Sequence, residues 1–177
     1  MSQARASLTL VLGGARSGKS AFAARLALGS GLEPVYLATA TALDAEMTAR
    51  IERHRRERGA RWTTVEAAED LPAALALWAA PQRFVVVDCL TLWLTQVLTQ
   101  GRDPGAARDE LLGVLGDRRG SVALVANEVG LGVVPMGELT RRFVDEAGFL
   151  HQAIAAIADR AVLLVAGRPL ELMAGNG

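Results

Sequence analysis

The sequence predicts an α/β fold in which a mostly parallel sheet is flanked by helices. Two observations lead to this fold class. Short segments that are apolar throughout, such as LTLVL at 8–12 and FVVV at 84–87, alternate along the chain with longer helical segments, and unbroken apolarity is typical of parallel strands buried on both faces. A glycine-rich turn, GGARSGKS at 13–20, stands directly between the first strand and a helix. We therefore expect a P-loop NTPase-type sheet of the RecA-like kind.

The strands are predicted from apolar runs that end at glycine or at a polar residue. The first run, 8–12, ends at Gly-Gly, and further strands are expected at 35–38, 62–65, 84–87, 122–126 and 162–165, with a short tail strand near 170–172. The strand at 84–87 ends at Asp88, and the strand at 122–126 runs into Asn127 and Glu128. Ligands of such sheets bind at the carboxyl ends of the strands, so we expect the functional residues at that edge.

The helices are predicted between these strands. A helix at 21–28 follows the glycine-rich turn and is broken by the glycines at 29 and 31. Thr41, with Asp44 three residues on, resembles a capping box before a polar helix at 44–58. Further helices are expected at 71–79, 90–98, 106–115 and 138–160. We expect residues 1–177 to form a single nucleotide-binding domain, with frayed tails at 1–7 and 174–177.

Composition excludes several classes of protein. The chain has 19 basic and 19 acidic residues and 51% apolar residues, so it has no basic field for nucleic acid and enough apolar residues for a core. Its single cysteine, Cys89, cannot form an internal disulfide, which fits a cytoplasmic location. The most apolar stretch, 71–98, is interrupted by Pro81, Gln82, Arg83 and Asp88, so no membrane span is expected.

The turn at 13–20 matches the full phosphate-loop pattern G-x-x-x-x-G-K-[ST]. In that pattern, backbone N–H groups of the loop and the helix N-terminus surround an anion. Lys19 is the only lysine among the 19 basic residues, and a compact ammonium fits between phosphate oxygens where a guanidinium does not. The predicted nucleotide-binding residues here are Gly13, Gly14, Ala15, Arg16, Ser17, Gly18, Lys19 and Ser20.

A magnesium site is predicted from Ser20 and Asp88. The Ser20 hydroxyl should coordinate Mg²⁺, and Asp88 is the candidate carboxylate that holds the metal through water. An alternative role for Asp88 is to cap the helix that begins near Leu90. The two roles are compatible.

His54 is the candidate nucleophile. It lies in RIERHRRERGARW among six arginines, and on the residues alone such a run is more typical of a solvated helix face. Arginine forks also suit phosphate, and the surrounding positive charge disfavours the imidazolium form, which leaves a neutral, nucleophilic imidazole near pH 7. The second histidine, His151, is interpreted as structural.

The sequence resembles the bifunctional adenosylcobinamide kinase / adenosylcobinamide-phosphate guanylyltransferase family of cobalamin biosynthesis. The resemblance runs from 10 to 167 and depends on GGARSGKS, on YLATA at 36–40, on D-x-E-M-x-x-R-I-x-x-H ending at His54, on W-x-T-x-E at 62–66, on VDCLTLWL at 87–94 and on NEVGLGVVP at 127–135. The phosphate loop alone is common to many NTPases, whereas the histidine segment and NEVGLGVVP together are specific.

The resemblance implies two steps. ATP or GTP phosphorylates the aminopropanol hydroxyl of adenosylcobinamide, and GTP then guanylylates His54, which passes GMP to adenosylcobinamide phosphate. The same resemblance places GTP contacts at the phosphate loop and at Ala38, Thr39, Ala40, Arg55, Arg56, Glu57, Arg58, Glu66 and Asp88. It also implies a homo-oligomer, a trimer. Asn127, Glu128 and the loop 130–137 are candidates for the corrinoid contacts by position only.

Two other functions remain compatible with the residues alone. A P-loop kinase for another small metabolite would use the arginine-rich helix as a lid. A nucleotide-gated regulatory module would bind GTP without consuming it. Transfer of a guanylyl group to His54 distinguishes the family activity from both.

Overall fold

The computed structural model describes residues 6–40 and 59–172, and within them it forms one seven-stranded sheet with helices on both faces. The strands are β1 (Leu8–Gly13), β2 (Glu33–Ala38), β3 (Thr63–Glu66), β4 (Arg83–Asp88), β5 (Ser121–Asn127), β6 (Arg160–Val165) and β7 (Arg168–Glu171). The helices are α1 (Lys19–Gly29), α2 (Leu71–Trp78), α3 (Leu90–Thr99), α4 (Pro104–Gly116) and α5 (Glu138–Ile157). The predicted helix at 44–58 lies outside the described residues.

The sheet has the strand order β3-β2-β4-β5-β1-β6-β7. All neighbouring pairs are parallel except β6 and β7, which pair antiparallel. The predicted fold class, a mostly parallel sheet flanked by helices, is therefore confirmed. β5 lies between the phosphate-loop strand β1 and β4.

The core consists of two layers, one on each face of the sheet. Alternate residues of β1 point to opposite faces, so Leu10 and Leu12 belong to one layer and Val11 to the other. The layer with Leu10 is covered by α2, α3, α4 and α5, and the layer with Val11 is covered by α1 through Phe22 and Ala23. Both faces of the central strands are thus buried, which explains their uninterrupted apolar sequence.

The end of α5 differs from the predicted helix end because tertiary contacts override the sequence pattern there. α5 ends at Ile157 rather than at residue 160, and Arg160 begins β6. The cause lies at Asp159: its carboxylate accepts a hydrogen bond from the Leu8 backbone N–H (2.8 Å), and its own N–H donates to the Leu8 carbonyl (2.9 Å). These two bonds start the pairing of β6 with β1, so the chain leaves the helix at this point.

Smaller differences occur near the ends of the described chain. The tail strand is Arg168–Glu171 instead of 170–172, and β3 begins at Thr63 instead of residue 62. Ser7 was expected in a frayed segment, but its carbonyl accepts a hydrogen bond from Val122 N–H at 2.7 Å. No helix in the described part of the chain is long and apolar enough to cross a membrane.

Candidate functional site

The phosphate loop connects β1 to α1 at the carboxyl edge of the sheet. Gly18 is the N-cap of α1 with a left-handed backbone (φ 97°), and α1 has no side-chain cap hydrogen bond. The first-turn N–H groups of α1 therefore have no side-chain acceptor. Gly14, Ala15 and Arg16 are exposed. A helix N-terminus of this kind, preceded by a glycine turn, favours a bound anion.

Gly13 is required by close packing at the start of the loop. A Cβ at this position would lie 2.6 Å from the Leu164 carbonyl oxygen and 2.6 Å from Ser17 Oγ. Contacts that short force a shift of the backbone. The loop is supported on its other side by the turn between β6 and β7, where Gly167 N–H donates to the Ser17 carbonyl at 2.9 Å.

Lys19 is buried, with 7% of its surface exposed. Its Nζ donates a hydrogen bond to the Gly14 carbonyl at 2.5 Å, so the side chain folds back over the loop. Burial lowers the pKa of Lys19, while the nearby charges of Asp88 and of Cys89 act in the opposite direction. The ammonium is thus partly desolvated and lies over the loop that would receive a phosphate.

Ser17 contributes a second polar group to the loop. Its Oγ is buried, and it is one of two buried side-chain polar atoms in the described residues that have no hydrogen-bond partner. A buried hydroxyl without a partner is unfavourable by about 1–3 kcal/mol. The phosphate loop therefore contains a hydroxyl whose hydrogen-bonding capacity is unused within the described protein.

Asp88 ends β4 on the same edge. Its Oδ2 accepts a hydrogen bond from the hydroxyl of Tyr36 at 2.8 Å, which fixes the carboxylate at the end of the sheet. The N-cap of α3 is Cys89 and no side chain caps that helix, so the alternative role of Asp88 as a cap is not observed. Burial and the charge of Asp88 raise the pKa of the Cys89 thiol.

Thr39 joins β2 to the turn after Asp88. Its side chain is fully buried, and its hydroxyl both donates to the Cys89 carbonyl and accepts from the Cys89 N–H, each at 2.7 Å. The carbonyl of Thr39 accepts from Gln96 Nε2 at 2.8 Å. One threonine therefore positions the turn that carries Asp88.

The register of the sheet places two further predicted nucleotide contacts, Ala38 and Glu66, level with Asp88. Ala38 pairs with Asp88 on one side and with Glu66 on the other, so the three residues form one row across β4, β2 and β3. Ala38 is buried and Glu66 is exposed, and Ala40 is half-buried. The predicted residues of the phosphate loop, β2, β3 and β4 lie along the same edge of the sheet, with β2, β4 and β5 between β3 and β1. His54, Arg55, Arg56, Glu57 and Arg58 lie outside the described residues.

The donors fit a magnesium ion that is shared with a nucleotide. Ser20 lies in the first turn of α1 and Asp88 at the end of β4. Residues 6–40 and 59–172 contain no cluster of three or more His, Cys, Asp or Glu side chains that could hold a metal. Mg²⁺ usually takes one or two protein ligands together with phosphate oxygens and water, which is the chemistry that a hydroxyl and one carboxylate can supply.

Three residues of the site were missed by the sequence prediction. Thr91 Oγ1 accepts from the Asn127 N–H at 2.8 Å and so connects α3 to the end of β5. Gln96 holds Thr39, and Gly167 holds the phosphate loop. The signal for Thr91 and Gln96 was their polarity on the otherwise apolar helix 90–98, whereas nothing in the sequence marks Gly167.

His151, interpreted as structural, lies within α5. Burial lowers its pKa, and the negative charge of Glu128 acts in the opposite direction. The backbone N–H of Glu128 donates to the Gly13 carbonyl at 3.0 Å, so this electrostatic contact adjoins the phosphate loop.

Two cavities lie outside the phosphate loop. One, of about 640 Å³, lies between α4 and α5 and is lined in part by Arg108, Glu146 and Phe149. The other, of about 130 Å³, lies beside the segment after β5 and is lined in part by Val133 and Arg141. Neither cavity is lined by a residue of the phosphate loop, which lies exposed at the edge of the sheet.

Comparison with known proteins gives a consistent set of relatives. A family model described as cobinamide kinase / cobinamide phosphate guanyltransferase matches residues 9–172. The bifunctional adenosylcobalamin biosynthesis protein CobP of Pseudomonas aeruginosa is 54% identical over 166 residues, covering 92% of this chain and 95% of the relative. The bifunctional adenosylcobalamin biosynthesis protein CobU of Escherichia coli is 37% identical, covering 90% and 96%. Among solved structures, flagellar accessory protein FlaH from Methanocaldococcus jannaschii matches with a TM-score of 0.48 and 11% identity, covering 93% of this chain and 75% of that one.

Proposed function

The chain belongs to the cobinamide kinase / cobinamide phosphate guanyltransferase family, and on that premise we propose how its residues divide two reactions between them. In the first, ATP or GTP phosphorylates the aminopropanol hydroxyl of adenosylcobinamide. In the second, GMP passes from GTP to adenosylcobinamide phosphate and gives adenosylcobinamide-GDP. One nucleotide site serves both.

The observation that carries this proposal is the desolvated ammonium of Lys19 in an open phosphate loop. Lys19 is buried and donates to the carbonyl of Gly14 in its own loop, and the buried Ser17 hydroxyl has no partner within the described residues. A triphosphate would supply acceptors for both groups. Such charge-assisted bonds stabilise an anion more strongly than neutral ones do.

In the kinase step, the acceptor hydroxyl attacks the γ-phosphorus, the bond to the β-γ bridging oxygen breaks, and the hydroxyl proton passes to solvent water. Lys19 neutralises the charge that develops on the β- and γ-phosphate oxygens. Ser20 and Asp88 would hold Mg²⁺, which supplies further charge neutralisation when it is bound. The hydrogen bond from Tyr36 orients the Asp88 carboxylate for this role.

In the transfer step, we assign the nucleophile to His54, which lies outside the described residues and is identified through the family motif. A ring nitrogen of neutral His54 attacks the α-phosphorus of GTP, and the bond to pyrophosphate breaks. A phosphate oxygen of adenosylcobinamide phosphate then attacks the same phosphorus, and the P–N bond breaks. The proposed GTP contacts are the phosphate loop, Ala38, Thr39, Ala40, Glu66, Asp88 and the segment 55–58 that follows His54.

Product analysis tests the whole proposal. The purified chain is incubated with adenosylcobinamide, magnesium and either ATP or GTP, and the products are separated by chromatography and weighed by mass spectrometry. We expect adenosylcobinamide phosphate with either nucleotide and adenosylcobinamide-GDP only with GTP. Phosphorylation without GMP transfer would indicate a plain kinase, and binding of GTP without any product would indicate a regulatory module.

A labelling experiment tests the histidine. GTP labelled at the α-phosphate should leave a label on the protein that is stable in alkali and lost in acid, as expected for a phosphoramidate. The label should be absent in His54→Gln and present in His151→Gln, which changes the only other histidine. Phosphorylation of adenosylcobinamide should persist in His54→Gln, and equal loss of both activities would contradict separate roles.

We also propose that the chain forms a homotrimer, on the family resemblance alone. Sedimentation equilibrium measures this directly, and a mass equal to one chain would contradict it.

A further inference from the structure

A group of large apolar side chains is exposed on the segment after β5. We call it the apolar rim. It consists of Leu131, Val133, Val134, Met136 and Leu139, which are 82%, 96%, 73%, 96% and 62% exposed. Residues 129–137 contain no charged side chain. Val133 and Val134 line the same cavity, and exposed large apolar side chains grouped in this way are typical of an interaction site.

The backbone of the apolar rim is held at both ends. Glu128 Oε1 accepts a hydrogen bond from Gly130 N–H at 2.6 Å at the start. Near the end, Arg141 Nη1 donates to the Pro135 carbonyl at 3.2 Å and also to the Met136 carbonyl. The apolar side chains are therefore presented by an anchored segment, which reduces the ordering entropy that binding would require.

The apolar rim begins beside the phosphate loop. Asn127 pairs with Gly13 in the sheet, and the next residue, Glu128, donates its N–H to the Gly13 carbonyl at 3.0 Å. The segment thus leaves the sheet at the first residue of the phosphate loop. Any molecule that reacts with a bound nucleotide at the loop and extends beyond it can contact the apolar rim.

The acceptor in the proposed reactions is such a molecule. Its hydroxyl must come to within about 3–3.5 Å of the reacting phosphorus, but the hydroxyl stands at the end of a short arm on a corrinoid ring, which carries methyl groups and neutral amides. The cavity beside the apolar rim holds only about 130 Å³, and a pocket for a drug-sized ligand needs about 300–1,000 Å³. The larger cavity, between α4 and α5, has no phosphate-loop residue in its lining. Among the described residues, the exposed surface beside the loop is therefore the candidate position for the ring.

We propose that the apolar rim binds the corrinoid ring of adenosylcobinamide and of its phosphate, while the aminopropanol arm reaches into the phosphate loop. This assignment rests on the proposed function. The uncharged segment 129–137 matches the neutral methyl and amide periphery of the ring. Contacts remote from the reacting atoms also raise the rate of reaction of the whole substrate, because their binding energy helps to position the arm.

The test uses a double variant of the two most exposed members, Val133→Ser and Met136→Ser, in the full chain. With wild-type activity as reference, we expect the KM for adenosylcobinamide to rise about tenfold or more, since two apolar contacts are lost. The KM for ATP should stay unchanged. Leu77→Ser, at an exposed leucine of α2 (71% exposed), is the matched control and should leave both values at the wild-type level.

Binding is also measured without catalysis. Corrinoids absorb visible light, so ultrafiltration with adenosylcobinamide and a non-hydrolysable ATP analogue gives the dissociation constant directly. The double variant should bind the corrinoid about tenfold more weakly and the analogue as tightly as the wild type.

Three other results are possible, and they distinguish failure of the corrinoid assignment from failure of the proposed function. If the wild type is active and the double variant keeps the wild-type KM and dissociation constant for the corrinoid, the assignment is overturned. The proposed function is then unaffected. A double variant of lower oligomeric mass than the wild type, by sedimentation equilibrium, identifies the apolar rim as a contact between copies of the chain and overturns it too. A wild type that phosphorylates no corrinoid overturns the proposed function itself.

Discussion

Replacing Thr39 by valine should loosen the attachment between β2 and the turn that carries Asp88. The substitution keeps the shape of the side chain and removes only its hydroxyl. That hydroxyl makes two hydrogen bonds of 2.7 Å, one to the carbonyl and one from the N–H of Cys89. The side chain of Thr39 is fully buried, so no water can replace the hydroxyl without a change in structure.

The magnitude follows from the one backbone group left without a partner, the Cys89 N–H, because the Cys89 carbonyl still accepts a hydrogen bond from the Trp93 N–H at 3.3 Å. An unsatisfied buried polar group costs about 1–3 kcal/mol, and valine recovers part of this through the extra buried methyl group, worth about 0.8 kcal/mol. We therefore expect the free energy of unfolding to fall by about 1–3 kcal/mol. This would be a large fraction of the total stability of a domain of this size, about 5–15 kcal/mol.

Urea denaturation followed by circular dichroism measures the effect, with equal m-values required for a valid comparison. Thr95→Val is the control, because Thr95 lies on the exposed face of α3 and its hydroxyl bonds only the Thr91 carbonyl at 2.9 Å within the helix. We expect the control to change stability by less than about 0.5 kcal/mol. If Thr39→Val changed stability as little as the control does, the hydroxyl of Thr39 would not hold the turn.

Three further predictions concern the loop and its surroundings. Gly13→Ala should lower the free energy of unfolding by about 1–3 kcal/mol, because its Cβ would lie 2.6 Å from a carbonyl oxygen. Gly14→Ala, whose Cβ would have open space around it, should leave the free energy of unfolding unchanged. Equal urea midpoints for the two variants would refute the packing argument. Lys19→Ala should weaken ATP binding about 10–100-fold by calorimetry, as expected for the loss of a charge-assisted bond; unchanged affinity would remove Lys19 from the site. Because burial lowers the pKa of His151 against the opposing charge of Glu128, protonation favours the unfolded chain, whose histidine titrates near about 6.5. Stability should therefore fall between about pH 7.5 and about pH 5.5 more steeply in the wild type than in His151→Gln, and parallel urea curves would contradict this.

The fold class could be predicted because the apolar runs of the central strands follow directly from burial on both faces. Leu10 and Val11 contact opposite layers of the core, so both must be apolar. The same uniformity hides the order of the strands, since a strand that is apolar on both faces has no pattern that selects its neighbour. The position of β5 between β1 and β4 was therefore not predictable from the sequence.

The phosphate loop was predictable because the motif is local, with Gly13, Gly18 and Lys19 close together in sequence. The supporting contacts are not local. Gly167 donates to the Ser17 carbonyl from a turn late in the chain, and Thr91 accepts from Asn127 across two elements. Such bonds depend on which elements become neighbours, so a single sequence gives little indication of them.

The predicted helix end at residue 160 was wrong for the same reason. The helical pattern continues past Ile157, and only the hydrogen bonds between Asp159 and Leu8 convert the next residues to a strand. Tertiary contacts also explain why Ser7 is paired rather than frayed.

The central position of β1 has a consequence for synthesis of the chain on the ribosome. β1 is translated before the other six strands of the sheet, yet both of its neighbours, β5 and β6, come from the second half of the sequence. A nascent chain therefore carries β1 with both edges unpaired through most of translation, and pairing over such sequence distances is slow. Chaperones that shield apolar strand edges should accordingly engage this chain early, and the support that Gly167 gives to Ser17 forms only after the turn between β6 and β7 has left the exit tunnel.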